Sequence, residues 1–80
     1  MDKETIIKKV NTLLVEEFEI AEDLLTPEAS LKDDLEIDSL DFVDIVVLIN
    51  RDFGFKPQTE ALKVIKTLDD FYQYIAAHAE

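Results

Sequence analysis

The sequence predicts an all-α fold: a small four-helix bundle of three long helices and one short, with a long loop between helices 1 and 2. Three observations carry that prediction. Glycine occurs once and proline twice in 80 residues, so helix breakers are few. Apolar residues recur at helical spacing in three separate stretches. The only stretch left for a strand, Phe53 to Lys56, is too short to build a sheet.

The first helix runs from about Lys3 to Phe18. Ile6, Ile7, Val10, Leu13, Leu14 and Phe18 fall on one face, with Lys8, Lys9, Glu16 and Glu17 between them. Its β-branched residues permit strand, but the length and period favour helix. A stretch of about twenty residues, Glu19 to Asp38, then lacks a sustained period. Within it Thr26-Pro27-Glu28-Ala29 reads as a cap and one helical turn, because proline suits the first helical position. Leu24, Leu25, Leu31, Leu35 and Ile37 are expected to tie this loop to the core.

The second helix is expected from about Ser39 to Phe53. Asp38 is a good N-cap, since its carboxylate can accept the orphan N–H groups of the first turn. Asp41 sits in that turn, where negative charge suits the helix dipole. Phe42, Ile45, Val46, Ile49 and Phe53 form one apolar stripe, and Leu40, Val43 and Val47 a second beside it. Gly54 is the stop signal. A short helix follows at about Glu60 to Val64, capped by Thr59. The last begins at Thr67, which has capping-box spacing to Asp70, and buries Leu68, Phe71, Tyr72, Ile75 and Ala79.

Length and composition narrow the function. Eighty residues, 48% of them hydrophobic, make one folded domain spanning 1–80 with a modest core. The absence of cysteine excludes disulfides and thiolate metal sites. No segment approaches a membrane span and no signal-peptide pattern opens the chain, so a cytoplasmic protein is expected. A net charge of −11 disfavours nucleic acid and anionic membranes and favours partners with basic patches. An EF-hand starting at Asp34 would need glycine and glutamate where Ser39 and Ile45 stand, so no metal site is expected. The sole histidine, His78, is about forty residues from Ser39, and no third group orients a Ser-His pair. No catalytic residue is expected, and Tyr72 and Tyr74 read as core-edge aromatics.

The most informative run is Leu31-Lys32-Asp33-Asp34-Leu35-Glu36-Ile37-Asp38-Ser39-Leu40-Asp41-Phe42-Val43. It places a serine where an acidic loop meets an apolar helix. Taken with Ala29-Ser30-Leu31, Asp34-Leu35 and the flanking helices, it resembles the acyl carrier proteins over nearly the whole chain. Peptide-synthetase carriers usually have Gly-His or similar before the serine, and Ile37-Asp38 fits the acyl type better.

The resemblance implies a non-catalytic carrier, with Ser39 holding a 4'-phosphopantetheine arm delivered from coenzyme A by a phosphopantetheinyl transferase; a free-standing carrier is expected, since the chain starts with methionine and ends soon after the last helix. It implies that Asp38, Leu40, Asp41, Asp44 and Val47 face partner enzymes. Those partners would be acyl-transferring, condensing and acyl-modifying enzymes with basic docking patches, in fatty acid or related (polyketide or dedicated lipid) biosynthesis. It also implies that acyl chains shelter transiently inside the bundle, and a monomer is expected. The alternatives are an aminoacyl or D-alanyl carrier, or an unmodified acidic interaction module. Three departures stand out: Glu36 where many members have glycine, Asn50-Arg51 where acids are common, and a less acidic Gly54 to Thr59 loop.

Overall fold

A computed structural model describes residues 2–79. Among these residues four α-helices follow in order: α1 (Lys3–Phe18), α2 (Ser39–Phe53), α3 (Thr59–Lys63) and α4 (Leu68–His78). The predicted all-α bundle is the fold observed. α1 lies against α4, and α2 against α3. All four contribute to one core, in which Ile6, Leu14, Ile45, Ile49, Leu62, Leu68, Phe71 and Ile75 are fully buried.

α1 begins at an Asp2 cap whose carboxylate accepts the Thr5 N–H at 2.9 Å. The Thr5 side chain and, after it, this backbone N–H hold the Asp2 carboxyl below the usual carboxylate range. Ile6, Val10, Leu13 and Leu14 are buried, while Ile7 and Phe18 are half-buried and pack on the core's edge. The helix ends at Glu19 in the left-handed region (φ 55°), whose N–H donates to the Leu14 carbonyl. The part-buried Tyr72 hydroxyl donates to Asn11 Oδ1, satisfying a polar group the core would otherwise strand. Burial pushes the Tyr72 phenol upward.

The long loop differs from expectation in three places. Thr26 to Ala29 forms a hydrogen-bonded turn rather than a helical one. The helical turns lie on either side: a 3-10 turn at Glu22–Leu24, and a turn over residues 31–34 started by Ser30. The reason is tertiary. The Pro27 and Ala29 carbonyls accept from Asp69 and Leu68 N–H at 3.0 and 2.9 Å, drawing this backbone out toward α4. Those donors are orphans of α4's first turn, and the next is met by Thr67 Oγ1, which accepts from Asp70 at 3.2 Å. Loop and helix N-terminus therefore satisfy each other.

Second, the strand-like pairing falls at a bridge between Ser30 and Thr67, not in Phe53 to Lys56. Third, Leu31, Leu35 and Ile37 are buried and Leu25 is partly so, but Leu24 is 47% exposed. The core also takes Ile20 and Ala29 from this loop.

α3 starts one residue earlier than the spacing predicts, with Gln58 rather than Thr59 as N-cap and no side-chain cap bond. The Gln58 carbonyl accepts from Ala61 and Leu62 N–H, which pulls Leu62 into the core and sets the start. In α4 the Thr67 half of the capping box forms. Ala79 lies just past the helix, half-buried rather than on its buried face.

Candidate functional site

The first turn of α2 is fixed by reciprocal capping. Asp38 has an extended backbone, and its Oδ1 accepts from Leu40 and Asp41 N–H at 3.0 and 3.1 Å. Asp41 Oδ2 in turn accepts from the Asp38 N–H at 3.1 Å. The box is closed, with aspartate doing what Glu or Gln usually does. Ile37 before the cap and Phe42 after it hold the two positions of a hydrophobic staple, and both are buried. The chain therefore enters α2 at one defined angle.

That angle is prepared upstream. Ser30 Oγ accepts from Asp33 N–H at 3.1 Å, and Asp34 Oδ2 accepts from Ser30 N–H at 2.7 Å. Glu36 then takes a left-handed conformation (φ 56°), and the Ile37 N–H donates to the Leu31 carbonyl at 2.8 Å. The glutamate that stands in place of a glycine thus adopts the conformation glycine favours.

Ser39 is the first residue of α2 and is exposed. Its hydroxyl enters no hydrogen bond among the described residues. The helix start does not offer its N–H groups freely to an anion at Ser39, because the Asp38 carboxylate already occupies those of Leu40 and Asp41.

Of the other predicted residues, Asp38, Leu40, Asp44 and Val47 are exposed and Asp41 is half-buried. The structure gathers them on the outer side of α2. Leu40 is 77% and Val47 64% exposed, and Val43 between them is 56% exposed. Large aliphatics in an exposed row leave most of their apolar surface in water and contribute little to folding. The row ends at Arg51, whose guanidinium pairs with the adjacent Asp52 at 3.0 Å. That pairing and the neighbouring carboxylates Glu16 and Glu17 raise the Arg51 pKa.

Ser39 also borders a cleft of about 510 Å³ between the loop, α2 and the segment joining α3 to α4. Its lining includes Lys32, Lys63 and Lys66, which the sequence did not single out. Lys32 lies far from the other two along the chain, so no spacing rule could join them. The only sequence signal was the scarcity of basic residues, eight against nineteen acidic ones. His78 stands apart from this cleft, stacked on Phe55 with centroids 5.5 Å apart and beside Tyr74 at 4.5 Å. Among the described residues no His, Asp or Glu cluster is placed to hold a metal ion. No helix among the described residues is long and apolar enough to cross a membrane.

Over residues 8–75 the chain matches the family described as the phosphopantetheine attachment site, which places it among proteins that carry that group. It is 40% identical over 73 residues to the acyl carrier protein of Thermotoga maritima, covering 91% of this chain and 90% of that one. It is 33% identical over 78 residues to the acyl carrier protein of Rubrobacter xylanophilus, covering 98% and 96%. A third acyl carrier protein, from Lactobacillus acidophilus, is 31% identical over 78 residues and covers 98% of each. The chain belongs to the acyl carrier proteins of this family.

Proposed function

We propose that Ser39 is the attachment residue for 4'-phosphopantetheine, and that the chain carries acyl groups to partner enzymes of fatty acid or related biosynthesis without catalysing a step itself. The observation that carries this reading is the Ser39 hydroxyl: exposed, unbonded among the described residues, and fixed by the Asp38–Asp41 box at the head of α2. It lies within the matched residues 8–75. The residues fit the group, since a serine with an open approach and a cleft beside it can accept a bulky phosphodiester. When bound, the arm supplies a terminal thiol that holds an acyl group as a thioester.

Attachment joins Ser39 Oγ to the phosphorus of the arm and breaks the phosphoanhydride of coenzyme A. The adenosine bisphosphate leaves, and the hydroxyl proton passes to a base on the transferase. A phosphopantetheinyl transferase and acyl-handling enzymes dock basic patches on Asp38, Asp41 and Asp44, with Leu40 and Val47 as apolar anchors. The chain acts as one domain over 1–80, as a monomer, in the cytoplasm where coenzyme A is at hand. Intact mass before and after incubation with coenzyme A, magnesium and a broad-specificity transferase tests the reading. Wild type gains one phosphopantetheine and Ser39→Ala gains none; a folded wild type that gains nothing refutes it.

A further inference from the structure

We infer that Lys32, Lys63 and Lys66 form an anion subsite that holds the phosphodiester of the arm, drawing its first segment over the cleft beside Ser39; this rests on Ser39 being the attachment residue. A phosphodiester at Ser39 meets a local problem. Asp38 and Asp41 flank it, and the Leu40 and Asp41 N–H groups that would otherwise face an anion are spent on Asp38. The helix start therefore supplies little compensation, and the counter-charge has to come from elsewhere.

The cleft supplies it. Three of the chain's eight basic residues line it, although the chain carries a net charge of −11. The two ion pairs among the described residues, Lys3–Asp69 and Arg51–Asp52, involve none of the three. Two carboxylates share the lining, Asp33 and Asp38, but the latter is committed to its own helix. The lining thus carries three positive charges against two negative ones, a local reversal of the molecule's sign. Between the lysines, Leu31, Ile37, Phe42 and Ile65 give an apolar floor, suited to the methyl-bearing part of the arm next to the phosphate. Lysine suits this use: a flexible cation reaches a phosphate as a point charge without needing fixed geometry.

The test uses the full chain, loaded and unloaded, with loading checked first by intact mass. The side-chain ammonium or Cε NMR signals of Lys32, Lys63 and Lys66 are expected to shift on loading, while those of Lys8, Lys9 and Lys56 stay in place. The ³¹P resonance of the arm is expected to move as salt is raised from about 0.1 M to about 1 M, where screening shortens from about 10 Å to about 3 Å. In the triple variant Lys32→Gln, Lys63→Gln, Lys66→Gln that salt response is expected to be lost. In the charge-matched control Lys8→Gln, Lys9→Gln, Lys56→Gln it is expected to remain, with circular dichroism confirming that both fold. Loading by mass with unmoved lysine signals overturns the subsite and leaves the attachment at Ser39 standing. Slower loading of the triple variant with an unchanged ³¹P response also overturns it, and assigns the lysines to an acidic face of the transferase instead. Failure of wild type to load refutes the attachment itself, a different result from either.

Discussion

α2 carries two apolar stripes, and the fold uses one. Phe42, Ile45, Val46, Ile49 and Phe53 are at most 8% exposed, whereas Leu40, Val43 and Val47 are 56–77% exposed. Residues of the same chemical kind, on one helix, thus meet different surroundings. The inner row stabilises the bundle by leaving water. The outer row stays in water and is available to leave it on contact with something else. Hydropathy alone assigns both rows to a core; only the position of the neighbouring helices separates them.

The largest expected effect tests that separation directly. Ile49→Ala empties a fully buried position and is expected to cost about 2–5 kcal/mol of stability in urea titration. Val47→Ala, two positions earlier and exposed, is expected to stay within about 0.5 kcal/mol of wild type. Equal losses would mean that the outer row also supports the fold, and the comparison would collapse.

The next prediction reads the outer row by binding. Val47→Asp and Asp44→Lys are each expected to weaken docking of the transferase by roughly tenfold, about 1.4 kcal/mol, with urea midpoints unchanged. Unchanged transfer kinetics and affinity in both would leave the exposed row without a role. Asp41→Lys is a poorer probe than the sequence alone suggests. Its carboxylate accepts the Asp38 N–H, so the change removes half a capping box as well as a surface charge.

Asp38→Ala is expected to cost about 1 kcal/mol, the usual value of an N-cap. It also frees the Leu40 and Asp41 N–H groups that Asp38 now occupies. Asp38→Asn keeps the cap acceptor and removes the charge, so it should recover most of the stability in urea titration. If it recovers none, the carboxylate contributes through the helix dipole more than through the hydrogen bonds.

Much of this was legible in the sequence, for identifiable reasons. α1 and α2 fall where the apolar period and the Asp38 and Gly54 signals put them, because these are local rules that tertiary packing did not need to override. Asp38 was legible as the cap for the same reason, whereas Ser39 was singled out by resemblance and not by a local rule. The Thr26 to Ala29 turn was not, since its shape depends on hydrogen bonds to Leu68 and Asp69, some forty residues on. The start of α3 was missed because the Gln58 backbone, not the Thr59 side chain, fixes it. The lysine cleft was invisible because it joins the loop to the segment after α3, a juxtaposition only the folded chain contains.

The smallest expected effect concerns how α2 comes to have an inner and an outer face. The chain uses the same turn twice: Leu14-Val15-Glu16-Glu17-Phe18-Glu19-Ile20 and Leu31-Lys32-Asp33-Asp34-Leu35-Glu36-Ile37 share one pattern. In each, the glutamate is left-handed (φ 55° and 56°) and the isoleucine after it is buried. Each isoleucine N–H also donates back to the leucine carbonyl, at 3.3 and 2.8 Å. A left-handed glutamate costs about 1–2 kcal/mol that glycine avoids, while glycine loses about 0.5–1 kcal/mol of extra chain entropy on folding. Glu19→Gly and Glu36→Gly should therefore each stabilise by a few tenths of a kcal/mol to about 1 kcal/mol, read by urea titration. The two turns deliver the chain to different places. The first leads into the loop; the second puts Ile37 inside and Ser39 outside two residues later. Glu36→Gly should thus raise stability while increasing hydrogen exchange at Asp38 and Leu40, and Glu19→Gly should leave that exchange unchanged. Parallel exchange in the two variants would show that the aspartate box alone, and not the turn before it, sets which face of α2 meets the solvent.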